Sequence, residues 1–220
     1  MKQNLFILST LLLSSGLAFA QSSYWCKVLP WTCSETPSEP KLPQEPENDL
    51  PDFVEVSSMV ANGTGCPQGD LIEFEKLNKN RFRIRYSDLI AEGGEDISLR
   101  EARKNCQLTI SLSYPEGWTY GIESVLSKGY VDLDEDLTAQ VRINTYFQGG
   151  EQNQVGEISF DGPKNKGFNK TFKVESIDYA PCTQSRSLNL NSATKVSGRS
   201  NYGTMNVNET VVRLKWKTCD

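Results

Sequence analysis

Histidine is absent from this chain of 220 residues. That gap excludes a Ser-His-Asp or Cys-His nucleophile, an imidazole general base and every histidine metal ligand. No two cysteines are spaced as CxxC either, so a zinc cluster lacks its usual framework. An enzyme built on this chain must work with carboxylates, Lys, Tyr or a Ser activated by Lys. Paired carboxylates suffice for glycoside hydrolysis. Yet nothing in the spacing of Glu116, Glu123, Asp161 and Asp178, all near turns or strand ends, brings two of them to the roughly 5–10 Å that reaction needs. A bias of charge toward the basic side is also lacking. Lys and Arg number 23 against 28 Asp and Glu, so there is no sequence-level case for nucleic-acid binding.

Long apolar runs are missing everywhere but at the start. Lys2 gives a positive n-region, residues 5–17 are apolar apart from small Ser, Thr and Gly, and Ala18-Phe19-Ala20 is a small-x-small cleavage site. The run is short for a membrane span of about 20 residues. It reads as a signal peptide over 1–20, with Gln21 beginning the mature chain. No Cys directly follows the site, which counts against a lipid anchor. The expected location is secreted or extracellular, or the periplasm in a bacterial host, with no membrane span after cleavage.

All six cysteines lie beyond the signal, at 26, 33, 66, 106, 182 and 219. An even count in an exported chain implies three disulfides, for which fifteen pairings exist. Cys26 and Cys33 can close a small loop over 21–33 that carries Trp25 and Trp31, removing roughly 2–3 kcal/mol of chain entropy. Residues 34–52 follow, with Pro37, Pro40, Pro43 and Pro46 at every third position. This period favours polyproline II, and the like charges extend it into a semi-rigid spacer. The segment holds Glu35, Glu39, Glu45, Glu47, Asp49 and Asp52 against Lys41, which accounts for the whole formal charge of −5.

From residue 53 to 220 the texture becomes alternation of period two. Ile72, Phe74, Phe82, Ile84 and Tyr86 share one face of a hairpin around Asn78-Lys79-Asn80. That hairpin sets Glu75 opposite Arg83 and Glu73 opposite Arg85, so Arg81, Arg83 and Arg85 are largely neutralised. Residues 107–114 turn Leu108, Ile110 and Leu112 inward. Trp118, Tyr120 and Ile122 continue after a Pro115-Glu116-Gly117 turn. Residues 139–147, 155–160, 168–174 and 211–216 are further strands. Only residues 99–104 suggest a short helical turn, with Asp96-Ile97-Ser98 in place to cap it. The expected fold is all-β, a single antiparallel sandwich-like domain stapled by disulfides and preceded by the Pro-rich extension.

Eight strings along this region, read together, carry a resemblance. They are Asn62-Gly63-Thr64-Gly65-Cys66-Pro67, Arg103-Lys104-Asn105-Cys106-Gln107-Leu108, Tyr114-Pro115-Glu116-Gly117-Trp118-Thr119-Tyr120, Gly129-Tyr130, Tyr146-Phe147-Gln148-Gly149, Phe160-Asp161-Gly162-Pro163, Pro181-Cys182 and Leu214-Lys215-Trp216-Lys217-Thr218-Cys219. In that order they resemble a family of secreted fungal and bacterial proteins known as domain of unknown function 4360. The resemblance implies secretion and a compact cysteine-containing domain, and it supplies no catalytic residues. Four cysteines fall within it. The expected pairs are Cys66 with Cys106 and Cys182 with Cys219, leaving Cys26 with Cys33.

Three groups of residues stand out as candidate sites. Asp132, Asp134 and Asp136 offer alternating carboxylates that suit Ca²⁺, although the EF-hand pattern fails, because Leu137 stands where Gly is needed. The competing reading is an exposed acidic turn, and no other cofactor is indicated. Arg213, Lys215 and Lys217 form a basic stripe without an obvious acidic partner in sequence; the competing reading is a solvated strand face. Trp25 and Trp31 sit on a loop with little core in which to hide, which suits stacking on sugar rings or docking a partner. Against this, they can pack on each other or on the domain. Asn62, Asn169 and Asn208 begin Asn-x-Thr glycosylation patterns. The leading reading is a secreted non-catalytic binding module for a surface glycan or another extracellular macromolecule. A structural envelope or matrix protein is the alternative, and a carboxylate-based polysaccharide hydrolase the further one.

Overall fold

A strand that buries one face tends to alternate apolar and polar residues, and the described residues hold eleven strands. The computed structural model describes residues 50–67, 72–199 and 201–219. The strands are β1 Glu55–Asn62, β2 Ile72–Asn78, β3 Arg81–Tyr86, β4 Ile90–Gly94, β5 Arg103–Ser113, β6 Trp118–Leu133, β7 Thr138–Phe147, β8 Asn153–Asp161, β9 Lys164–Lys173, β10 Leu188–Ser197 and β11 Tyr202–Thr218. Among the described residues there is no α-helix and no helix long and apolar enough to cross a membrane.

Two antiparallel sheets pack face to face. One has the order β1-β5-β10-β7-β8. The other runs β2-β3-β11-β6-β9, with β4 also on β11. Strands β3 and β4 share one side of β11, at residues 209–213 and 202–206 respectively. The long β6–β11 ribbon is the spine of the second sheet, paired from Gly203 with Leu133 to Thr218 with Trp118. A bulge between Val207 and Glu209 shifts the phase of β11. As a result Met205 and Val207 point inward before it, and Thr210, Val212, Leu214 and Trp216 after it.

The core lies between the sheets. Leu108, Ile110, Val141, Ile143 and Leu190 come from one; Ile84, Val125, Val131, Val212 and Leu214 come from the other. One end is filled by rings: Tyr114, Tyr120, Phe147 and Trp216 interlock with centroids 5.1 to 5.5 Å apart. A polar contact crosses the core between β3 and β10, where the Tyr86 and Ser192 hydroxyls bond at 3.1 Å.

The hairpin forms in the expected register, Glu73 with Arg85 and Glu75 with Arg83. Disulfides join Cys66 to Cys106 and Cys182 to Cys219, as the family resemblance implies. The signal peptide over 1–20, Trp25, Cys26, Trp31, Cys33 and spacer residues 34–49 lie outside the described residues. The expected helical turn over 99–104 forms but ends sooner, at Ala102. The Ala102 amide bonds the Ser98 carbonyl at 2.9 Å and the Glu101 amide bonds Ser98 Oγ at 3.3 Å, but β5 begins at Arg103. Leu99, 73% exposed, offers that turn nothing to pack against, so it does not propagate.

Burial raises the Tyr86 and Tyr120 hydroxyls above the ordinary phenol value. For an acid whose pKa is raised by folding, the folded state holds its proton more tightly. Stability is therefore intact below the unfolded tyrosine value of about 10 and falls as pH rises beyond it. Ultraviolet titration of the folded chain should show these two tyrosines ionising late and together with unfolding. Full ionisation of every tyrosine near pH 10, with β-sheet circular dichroism intact, would contradict the burial.

Candidate functional site

The outer face of the six-stranded sheet holds the candidate basic stripe and pairs Arg213 of it with a carboxylate. Strand β3 lies beside β11, so Arg81, Arg83 and Arg85 stand next to Arg213, Val211 and Glu209. Arg83 reaches Glu75 at 3.0 Å and Arg85 reaches Glu73 at 3.5 Å. Glu209, only 16% exposed, draws in Arg83 at 3.3 Å, Arg85 at 3.8 Å and Lys128 at 2.8 Å. The expectation of no obvious acidic partner for the stripe of Arg213, Lys215 and Lys217 is corrected at Arg213. Arg213 pairs with Glu123 at 2.6 Å, because the β6 register sets it across from Ser124. Lys215 is also engaged, and the Lys217 ammonium stands 4.2 Å from the Tyr179 ring centroid. A neutralised face of this kind is a poor grip for a polyanion.

The acidic turn does not gather into a metal centre. Asp132, the penultimate residue of β6, accepts from Asn165 Nδ2 at 2.8 Å. Asp134 Oδ2 accepts from the Tyr202 amide at 3.1 Å, and Asp136 adopts a positive φ of 65°. Once the strand ends at Leu133, alternation no longer keeps the three carboxylates on one face. Among the described residues no group of three His, Cys, Asp or Glu side chains is placed to hold a metal ion.

A different feature occupies the opposite end of the same face. Two tyrosines project from it, Tyr130 on β6 at 41% exposure and Tyr202 on β11 at 50%. A row of polar side chains crosses the strands between them. Asn165 pairs with Asp132, Asp132 with Thr204 and Thr204 with Glu92. The row fixes the rings. The Tyr130 hydroxyl donates to Asn165 Oδ1, and the Tyr202 hydroxyl donates to Glu92 Oε1 at 3.2 Å. The Tyr130 amide donates to Asn206 Oδ1 at 2.7 Å. Partial loss of hydration, followed by the charge and the hydrogen bond of Glu92, raises the Tyr202 hydroxyl above its ordinary value.

Two glycines shape the platform. A Cβ on Gly129 would meet Asn206 O at 2.0 Å and the Phe168 ring at 2.6 Å, so only Gly lets β6 lie this close to its neighbours. Gly167 faces Tyr130 across the β6–β9 pair and leaves one side of the ring uncovered. Tyr202 stands four residues from Asn206, which pairs with Tyr130. At a rise of about 3.4 Å per residue and a strand spacing of about 4.8 Å, the two Cα atoms are about 14 Å apart. The platform therefore suits an extended chain rather than a single ring. Nothing in the sequence reading singled out these tyrosines as a site, although Tyr130 is out of phase with inward Val125, Ser127, Val131 and Leu133, which is a legible sign.

A cleft of about 800 Å³ opens at the end of the sandwich. Its floor is Ile122, Phe147 and Leu188, and Glu151, Glu175 and Asp178 stand among its walls. Of the four carboxylates considered in sequence, Asp178 alone lines it, and Glu123 is committed to Arg213. Asn62, Asn169 and Asn208, which begin the glycosylation patterns, are all exposed.

The chain is similar to known proteins in three ways. A family model described as domain of unknown function matches residues 52–219. An uncharacterized secreted protein of Arthroderma benhamiae is 26% identical over 180 residues, which is 77% of this chain and 73% of the relative. The carbohydrate-binding module TmCBM61, solved in complex with β-1,4-galactotriose, aligns at 10% identity and a TM-score of 0.29. That alignment covers 71% of this chain and 89% of that one. A chain of the cowpea mosaic virus empty particle aligns at 11% identity and a TM-score of 0.24, over 82% and 88% of the two chains. No functional conclusion rests on either structure. Secretion is shared with the fungal relative and agrees with the disulfides. The chain is a secreted protein of the DUF4360 family.

Proposed function

We propose that this protein is a secreted, non-catalytic module that binds a polysaccharide on the tyrosine platform of its six-stranded sheet. The observation that carries this reading is the pair of exposed rings, Tyr130 and Tyr202, each held by a hydrogen bond from its hydroxyl and separated by a polar row. A pyranose presents a C–H face and a rim of hydroxyls. The ring face stacks on that C–H face, while Asp132, Asn165, Thr204 and Glu92 meet the hydroxyls. Rings fixed before binding lose little rotamer entropy on contact. Trp25 and Trp31, together with Arg213, Lys215 and Lys217, remain secondary candidates for the same ligand.

The test is co-sedimentation of residues 21–220 with insoluble cell-wall polysaccharides. Tyr130→Ala and Tyr202→Ala should each weaken saturable binding about tenfold, as loss of a well-placed aromatic contact does. Their melting temperature should barely move, because both rings lie outside the core. Trp25→Ala, Trp31→Ala run in parallel separates the two sites. Undiminished binding in the tyrosine variants and loss in the tryptophan variant would move the site to the N-terminal loop. Absence of saturable binding by the unmodified chain would favour a matrix role.

A further inference from the structure

The outer face of the five-stranded sheet differs from that of its partner sheet in one respect: two neighbouring cations on it, Arg103 and Lys195, stand without a carboxylate among the described residues. Arg103 on β5 and Lys195 on β10 stand directly opposite each other in the ladder. Like charges in that position repel and cost stability. Neither residue makes an ion pair among the described residues, whereas Arg142 on β7 is braced by Glu157 at 2.9 Å. Between them the short side chain of Ala193, paired with Asn105 and Arg142, leaves a hollow of about 360 Å³. Arg103, Asn105, Gln140, Arg142 and Lys195 line it.

The hollow continues into a neutral track. Asn105 also lines a neighbouring hollow of about 320 Å³ with Asn62, Gln107 and Thr109. The register aligns Asn62, Gln107, Asn191 and Asn144 in one row across four strands. The adjoining side chains hold one another in place. Gln107 Nε2 donates to Tyr146 Oη at 3.0 Å and Thr109 Oγ1 donates to Asn189 Oδ1 at 2.7 Å. From Arg103 to Thr109 the track runs along β5 for about 20 Å.

We propose that this face is a second binding site, for an acidic polysaccharide whose anionic group seats between Arg103, Lys195 and Arg142. The guanidinium forks and the ammonium match a carboxylate or a sulfate ester. The carboxamides beyond them offer paired donors and acceptors to sugar hydroxyls. A face built this way takes a ligand that is anionic at one point and densely hydroxylated along the rest. The chain as a whole is negative by five charges, so attraction of a polyanion to this face is local and needs those cations.

The experiment uses the full mature chain in affinity electrophoresis at low salt, through gels carrying polygalacturonate, dextran sulfate or neutral dextran. Retardation by a charged polymer and not by neutral dextran is expected, and the polymer that retards more identifies the anionic group. Arg103→Gln with Lys195→Gln should weaken that retardation about tenfold, while removing two cations from the other sheet, Lys166→Gln with Lys170→Gln, leaves it unchanged. Melting temperature gives a separate readout. Relief of the like-charge pair should leave the double variant as stable as the parent or more so, the pattern of charges kept for function. No retardation by either charged polymer overturns the proposal, as does retardation undiminished in the Gln variant. Equal retardation by duplex DNA also overturns it, because that outcome is charge attraction without a glycan site. None of these results depends on whether the tyrosine platform binds.

Discussion

Trp216→Ala is expected to destabilise the domain by about 3–5 kcal/mol, the largest loss for a single side chain. The indole is 4% exposed and stands 5.1 Å from both the Tyr114 and Tyr120 rings. It sits on β11 directly opposite Tyr120 of β6. Its N–H donates to the Lys79 carbonyl at 3.0 Å, which ties the β2–β3 turn to the spine of the sheet. Removing the ring leaves a cavity between the sheets and an unmatched carbonyl in the turn, and the two losses add. Trp216→Phe keeps most of the packing and loses the hydrogen bond, so about 1–2 kcal/mol is expected. Urea midpoints of the two variants measure both. A loss under about 1 kcal/mol for alanine would mean that this aromatic end is not part of the cooperative core.

Elements were legible in sequence where local alternation and turn length sufficed. The β2–β3 hairpin is the clearest case: its register follows from a short turn and five apolar residues in phase, and Glu73 and Glu75 meet Arg85 and Arg83. Strand β10 was not legible, because its inward positions include Ser192 and Thr194. Ser192 is inside because Tyr86 bonds it from the other sheet, and a contact 106 residues away leaves no mark on local periodicity. Strand β4 ends in Gly93 and Gly94, which ordinarily mark a turn. Gly93 is needed because a Cβ would meet Val196 Cγ1 at 2.3 Å.

The same division governs the sites. The partner of Arg213 is Glu123, which lies 90 residues earlier and is reached only through the β6–β11 register. The tyrosine platform depends on β6 continuing through Ser124, Ser127, Lys128 and Gly129, a stretch too polar to read as a strand. Once β11 and Phe168 close on Gly129, the phase is set and Tyr130 faces out. The acidic turn shows where alternation stops being a guide. Carboxylates at every second position share a face only while the strand lasts, and β6 stops after Asp132-Leu133.

Graded reduction is expected to open the two described disulfides in a fixed order, Cys182–Cys219 before Cys66–Cys106. Their sequence separations are 37 and 40, so in the loop-closure model each restrains the unfolded chain by about 4 kcal/mol. Loop entropy therefore does not set the order; access does. Cys66 and Cys106 are fully buried, and a thiolate reaches them only when the sandwich opens. Cys182 is exposed and is attacked in the native state. Opening it removes the covalent tie between the segment around Asp178 and Tyr179 and the end of β11, leaving the Ala180 amide bond to the Tyr120 carbonyl at 2.9 Å, the Thr119 hydroxyl bond to the Ala180 carbonyl at 2.6 Å and Lys217 on the Tyr179 ring. That segment walls the 800 Å³ cleft, so the cleft should loosen first while Tyr130 and Tyr202 keep their places. Trapping with an alkylating reagent and peptide mapping reads the order. Label on Cys66 and Cys106 at the lower reductant concentration would contradict it. Cys66→Ala, Cys106→Ala should then lose about 4 kcal/mol in urea, and polysaccharide binding should survive wherever the double variant remains folded.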